Sequence, residues 1–329
     1  RALPHLGGAP VPHAEARGNV ENLLGWAQVP VGLAGPLLLD GSDGQREVLV
    51  PMATTEGALV ASTSRGMALA AAGGGVRARV VRDALSQHPV LVYPTVADAI
   101  SAAEAAADSL ERFRGLVSGI TSHGRLERVE TDVLGRRLVL RLLFSTGDAI
   151  GINMAAHGAE LCSADLAQRT GAVERYVHGQ DVEKRANARA LVEGRGRSVL
   201  AETVVPREVL AERARTTPDA MVRVLATYAV GYAHLGTQNW TLQAANTIAA
   251  VFLACGQDVA YVTECATGLL DFDVTEGGEL HASLILPTML VGTVGGGSGQ
   301  GTAAEALAIL GCEGAGKART LAEIVAGTV

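Results

Sequence analysis

Only two lysines, Lys184 and Lys317, stand among 27 lysine and arginine side chains. Where arginine is so strongly preferred, a retained lysine can offer what a guanidinium cannot, a compact ammonium with a tunable pKa. Lys184 lies in Asp181-Val182-Glu183-Lys184-Arg185, ahead of Glu193-Gly194-Arg195-Gly196-Arg197. A mixed charge run is more often a solvated face, and the rarity of lysine speaks against that here. Upstream, Pro51-Met52-Ala53-Thr54-Thr55-Glu56-Gly57 sets one carboxylate beside an expected helix start. Glu56 there serves either the helix dipole, the commoner use, or proton transfer as a general acid, its pKa raised by burial among Ala, Met and Leu. Asn246 and Asp258 interrupt an otherwise apolar run and would lie near one face of an unbroken helix. If buried, each needs a hydrogen-bond partner.

Two glycine-rich turns could seat an anion. Gly147-Asp148-Ala149-Ile150-Gly151-Ile152-Asn153-Met154 follows an expected strand and opens a helix. Glycine lets the backbone approach a pyrophosphate there, and the first helical N–H groups attract negative charge. Gly292-Thr293-Val294-Gly295-Gly296-Gly297-Ser298-Gly299 precedes a second helix, as a phosphate nest or a plain connection. Neither has the spacing of the dinucleotide fingerprint.

The elements that must hold these residues follow from periodicity. Residues 1–50 read as loop-rich, and residues 54–72 as a helix stopped by Gly73-Gly74-Gly75. A strand at 90–93, an alanine-rich helix at 96–113, a hairpin at 125–133 and 136–144, and a helix at 153–170 make a small α+β unit. Residues 191–205 read as extended. Helices follow at 217–235 and 242–255, a strand at 280–290, and helices at 303–310 and 318–326.

Composition bounds the function. Hydrophobic residues at 48% and charged residues at 19% describe a folded chain. A net charge of −7 argues against a general nucleic-acid binder. No run approaches the roughly 18 apolar residues of a membrane span. Cys162, Cys255, Cys265 and Cys312 form no CxxC pair and read as buried thiols of a reducing, cytoplasmic compartment. No metal site is expected.

In this order the motifs resemble the 3-hydroxy-3-methylglutaryl-coenzyme A (HMG-CoA) reductase family, of the type found in eukaryotes, archaea and some bacteria. The matching runs are Glu21-Asn22-Leu23-Leu24-Gly25, Pro30 to Leu37, Met52 to Thr63, Gly147 to Met154, Glu193-Gly194-Arg195-Gly196, Asn246, Ala254 to Asp258 and Gly292 to Gly297. The resemblance implies an α+β fold. A large helix-rich acyl-CoA domain (1–88 and 176–329) would carry an inserted ferredoxin-like NAD(P)H domain (89–175). It also implies a homodimer or tetramer with interface active sites, and reduction of HMG-CoA to mevalonate, the start of isoprenoid synthesis. NADPH is the expected cofactor, with NADH as the alternative. By position Glu56, Lys184 and Asp258 match the catalytic glutamate, lysine and aspartate, and Asn246 the asparagine supporting the lysine. Gly147, Asp148, Ala149, Gly151, Asn153, Met154, Thr293, Gly295 and Gly296 are the expected cofactor contacts. Ser62, Arg65, Gln87, Glu183 and Arg215 are the expected acyl-CoA contacts.

The sequence also departs from that pattern. The family's arginine for the substrate carboxylate is Gln87 here, and a second cation, a lysine, falls near Thr227. Glu183 stands for an aspartate. The arginine for the cofactor's 2′-phosphate aligns near His123, beside Ser122 and Arg125. The leaving-group histidine belongs to a C-terminal flap beyond Gly327-Thr328-Val329, and that flap is expected to be absent from this chain. These departures open a second reading, a same-fold reductase of another acyl thioester. A third reading is a non-catalytic coenzyme A-binding relative, which an intact Glu56, Lys184, Asn246 and Asp258 set argues against.

Overall fold

The first two strands form a hairpin that a glycine- and proline-rich stretch conceals in the sequence: β1 (Val31–Gly41) and β2 (Gly44–Ala53), paired antiparallel. Pro36 falls in the register shift between Ala34 and Leu37, where a strand tolerates a residue that cannot donate to the ladder. The computed structural model describes residues 5, 6, 11–16 and 19–329. Helix α1 (Leu59–Ala72) starts five residues later than its periodicity suggests, because Ala58 adopts a left-handed φ of 68° and leaves Glu56 in a loop. Strand β3 (Val76–Gln87) then leads out of one compact unit into another.

The inserted unit spans Asp83–Glu183 and continues with β4 (Val90–Val92), α2 (Val96–Ala107), α3 (Leu110–Ser118), β5 (Arg125–Leu134), β6 (Arg137–Ser145), α4 (Ile152–Thr170) and β7 (Glu174–Tyr176). Its four full strands lie in the antiparallel order β7–β4–β6–β5, the ferredoxin-like arrangement. Thr95 and Asp98 form a capping box that starts α2. One alanine-rich helix was expected over 96–113; two form, parted at Asp108 and Ser109. Tyr93, Phe113 and Phe144 are wholly buried in this unit's core. The boundaries differ from 89–175. Leu85–Gln87 pair with β6, and the Gln180 N–H donates to His88 O at 3.1 Å, so both flanks belong to the insert. Gln87 and Glu183 therefore sit in this unit and not, as expected, in the larger one.

The larger unit comprises the chain up to Arg82 together with Lys184–Val329. It resumes with α5 (Ala188–Glu193), β8 (Gly196–Val205), α6 (Arg207–Val209), α7 (Pro218–Leu235), β9 (Asn239–Trp240), α8 (Ala244–Ala254) and α9 (Val262–Cys265). Strands β10 (Gly268–Val274) and β11 (Leu280–Met289) and helices α10 (Gly301–Ile309) and α11 (Ala318–Thr328) complete it. The sheet runs β2–β1–β3–β8–β11–β10–β9. α1 packs on β1, α8 on β2 and α11 on β8. α8 buries Ala244, Thr247, Ile248, Ala250, Val251, Phe252 and Ala254. It ends at Cys255, so Asn246 lies in its first turn and Asp258 beyond its C-terminus. The shared helix face expected for them does not form, and both are exposed.

Candidate active site

The loop before α5 carries Lys184 with a left-handed φ of 56°, rare for a side chain with a Cβ. From that turn its ammonium reaches Asp258 Oδ2 at 2.9 Å. The same ammonium lies 4.9 Å from the ring centroid of Tyr261, within cation–π range. The Lys184 main-chain N–H donates to Glu264 Oε1. Asp258, Tyr261 and Glu264 recur every third residue along a 3₁₀ turn and the short α9, which sets them on one side of that segment. Asp258 also caps the turn by accepting the Ala260 N–H at 3.0 Å. Lys184 and Asp258 keep 42% and 44% of their side-chain surface, so a ligand can reach the pair from solvent.

A second pair joins Asn246 to Glu56: Asn246 Nδ2 donates to Glu56 Oε2 at 2.9 Å. The expected burial of Glu56 is absent, since it is exposed, and an asparagine holds it instead of an apolar pocket. Asn246, expected beside the lysine, supports the glutamate.

On α1, Ser62 Oγ donates to Leu59 O at 2.9 Å and lines a cavity of about 680 Å³ floored by β8, β10 and β11. Arg65 shares a groove of about 430 Å³ with Arg213. Arg215 follows with a φ of 53°. Among the described residues none of these three arginines has a carboxylate partner, which leaves their charge for an anion. Thr227 spends its hydroxyl on Arg223 O at 2.9 Å within α7.

In the inserted unit Gly147, Asp148, Ala149 and Gly151 make the turn into α4. Gly151 has a φ of 81°, and a Cβ there would lie 2.5 Å from Thr146 Cβ, so only glycine fits. No side chain caps α4, leaving its first N–H groups open to an anion. Asn153 is exposed in that first turn, and Met154 packs against Gly124. His123 and Ser122 are exposed, and Arg125 pairs with Glu127 at 2.7 Å. Gln87 is 3% exposed, and its Nε2 donates to Glu183 Oε1 at 3.3 Å.

The other glycine turn belongs to the larger unit. Thr293 is buried and donates to Gly314 O at 2.6 Å. Gly297 and Gly256 approach back to back, and a Cβ on Gly297 would lie 2.6 Å from Gly256 O. Gly295 and Gly296 instead face open space with φ of 78° and 57°, and Asn19 Nδ2 donates to Gly296 O at 2.9 Å.

Glu193-Gly194-Arg195-Gly196-Arg197 is no solvated face, because Arg195 and Arg197 are each only 4% exposed. Arg195 Nη1 donates to Glu264 Oε2 at 2.9 Å and Oε1 at 3.1 Å. Tyr261 and Glu264 are the residues that sequence reasoning missed; their spacing of three and six from Asp258 was the available signal. Lys317, the other lysine, binds Asp43 at 2.9 Å on the surface. Among the described residues no group of three His, Cys, Asp or Glu could hold a metal, and no helix is long and apolar enough to cross a membrane.

An ammonium held against a carboxylate and open to solvent is suited to an enzyme that polarises a carbonyl oxygen. The hydroxymethylglutaryl-coenzyme A reductase family model matches residues 2–329. The chain is 36% identical to the 3-hydroxy-3-methylglutaryl-coenzyme A reductase of Pyrococcus abyssi, over 100% of this chain and 83% of that protein. With the Halobacterium salinarum reductase it shares 40%, over 93% and 77%. The Streptococcus pneumoniae reductase superposes with a TM-score of 0.80 at 21% identity, covering 99% of this chain and 88% of that one. The same organism's class II reductase bound to NADPH gives 0.78 at 21% identity, over 96% and 85%. The chain belongs to the HMG-CoA reductase family.

Proposed function

We propose that this protein reduces the thioester of HMG-CoA to mevalonate and free coenzyme A, with NADPH as reductant. The observation that carries the reading is the Lys184–Asp258 pair at 2.9 Å on a chain of this family. A thioester carbonyl gains negative charge as it is reduced, and the Lys184 ammonium is the group to receive it. Asp258 keeps that ammonium aimed, and the Tyr261 ring supports it from below. Glu56, oriented by Asn246, hands a proton to the oxygen at the aldehyde level. Arg65, Arg213 and Arg215 offer charge to coenzyme A phosphates. The open start of α4 fits a pyrophosphate-bearing ligand. Taking one thioester to the alcohol requires two hydrides, one from each of two NADPH molecules.

The protein is read as cytoplasmic and homo-oligomeric. Four buried thiols without a disulfide support the first. Exposed Val224, Tyr228 and Leu235, which share one face of α7, support the second, as an apolar patch suited to a second copy.

The test is NADPH oxidation by the full-length protein with HMG-CoA, beside Lys184→Ala. Oxidation that the variant loses by a factor of about 10² to 10³ is expected. No oxidation by a folded protein that still binds coenzyme A would overturn the choice of acyl group.

Gln87 and Glu183 favour a second reading for that group. A buried carboxamide bound to a carboxylate offers no cation to a terminal carboxylate on the substrate, and such a carboxylate would be costly to bury unpaired. In this reading the acyl tail is uncharged. Competition between HMG-CoA and a neutral acyl-CoA of equal length separates the two.

A further inference from the structure

The ion pair of Arg195 and Glu264 is the most deeply buried one near the candidate site, at 4% and 3% side-chain exposure, and the chemistry above does not use it. A buried pair is a poor stabiliser, because desolvation offsets the attraction and apolar residues of similar size often serve as well. Its position has another consequence. Gly194 and Gly196, with φ of 66° and 75°, flank Arg195 and let the chain press against β11, where the Arg195 N–H donates to Pro287 O at 3.3 Å. A Cβ on Gly196 would lie 2.6 Å from Leu290 Cδ2. The guanidinium is thereby anchored to the sheet. Through it both oxygens of Glu264 are fixed, and Oε1 also accepts the main-chain N–H of Lys184. Lys184 itself lies in a turn with no strand or helix to define its backbone. Its left-handed conformation is unfavourable for a residue with a Cβ and persists only where the surroundings enforce it.

We propose that Glu264 is a positioning residue for Lys184: held by Arg195, its carboxylate captures the Lys184 N–H and fixes the left-handed turn from which the ammonium reaches Asp258. The proposal rests on the reading of Lys184 as the group that polarises the thioester. Asp258 and Tyr261 then govern the side chain, Glu264 governs the backbone, and all three project from one segment.

Two double variants of the full-length protein test it. Arg195→Met with Glu264→Leu removes both buried charges and the acceptor. Arg195→Met with Glu264→Gln removes the charges but keeps a carbonyl oxygen for the Lys184 N–H. The first is expected to lose at least tenfold in kcat with KM for thioester and NADPH within about twofold, because backbone drift removes transition-state rather than ground-state contacts. The second is expected to recover most of that loss. Equal kcat in the two folded doubles, or parental kcat in the first, would overturn the proposal. Lys184→Ala is measured in parallel. If it stays active, the reading of Lys184 fails and the proposal with it; if it is inactive while the first double matches the parent, positioning alone fails. Amide hydrogen exchange at Lys184 in the parent protein needs no variant. Slow exchange is expected, and exchange at the rate of an open loop would overturn the bond on which the proposal rests.

Discussion

Lys184 carries two demands that conflict. Its side chain is needed as an ammonium, and its backbone sits at a φ of 56° that suits glycine. Lys184→Gly and Lys184→Ala both remove the ammonium and differ mainly in backbone preference. The glycine variant should be the more stable by about 1 kcal/mol, in urea unfolding of the two side by side. Both should be inactive. Asn246→Ala removes one exposed hydrogen bond to Glu56, so stability should change by less than about 1 kcal/mol. Its kcat should nevertheless fall about 10- to 100-fold, because Glu56 loses its orientation. The scarcity of lysine pointed to residue 184 but equally to Lys317, which proves to be a surface partner of Asp43. Composition could not separate them, because the distinction lies in Asp258, Tyr261 and Glu264, brought to Lys184 by folding.

Elements with a clean period were legible in the sequence, and elements broken by glycine or proline were not. α4, α7 and the β5–β6 hairpin fall close to their expected ends, helped by Gly171 and Gly236 as left-handed helix stops. The β1–β2 hairpin escaped because Pro36 and the glycines of β1 disguise the alternation, and the register shift that absorbs Gly35 and Pro36 is visible only in the pairing. The glycine turn at 292–299 read as a nest or a connection, and the structure divides it between both. Gly297 serves close packing against Gly256, whereas Gly295 and Gly296 face open space. Gly297→Ala should therefore cost about 1–3 kcal/mol of stability through overpacking, measured by thermal or urea unfolding. On α7, Leu235 is 78% exposed. Leu235→Glu should shift the protein toward monomer in light scattering while its circular dichroism spectrum stays that of a folded chain, if that face meets a second copy.

For the whole molecule, pH acts through carboxylates and thiols placed by the fold. The Arg112 guanidinium beside Asp165, Lys317 beside Asp43 and Arg175 beside Glu160 each hold a carboxyl below its usual range. A depressed carboxylate adds stability that is present above its unfolded pKa, about 4, and lost as pH falls through the folded value. Urea midpoints should thus hold from neutral pH to about 5 and drop steeply below 4. High salt should blunt the effect, since these pairs are partly solvated. Burial pushes the thiols the other way, Cys162 up to about 12 and Cys312 to about 11, with Cys255 and Cys265 raised further. Thiols that stay protonated are poor nucleophiles. Iodoacetamide at pH 8 should leave all four unlabelled in the native protein and modify all four in urea, as counted by intact mass.

The left-handed turn at Lys184 has a consequence over generations. A gene copy released from selection for catalysis would keep only the pressure to fold. At this position that pressure favours glycine, and asparagine after it, over the ancestral lysine. Loss of the ammonium should then be among the earliest steps in the decay of a duplicate, preceding erosion of the buried Arg195–Glu264 pair, whose one-sided loss would damage the fold. The residue at 184 would register, earlier than most others, when a descendant had ceased to be an enzyme.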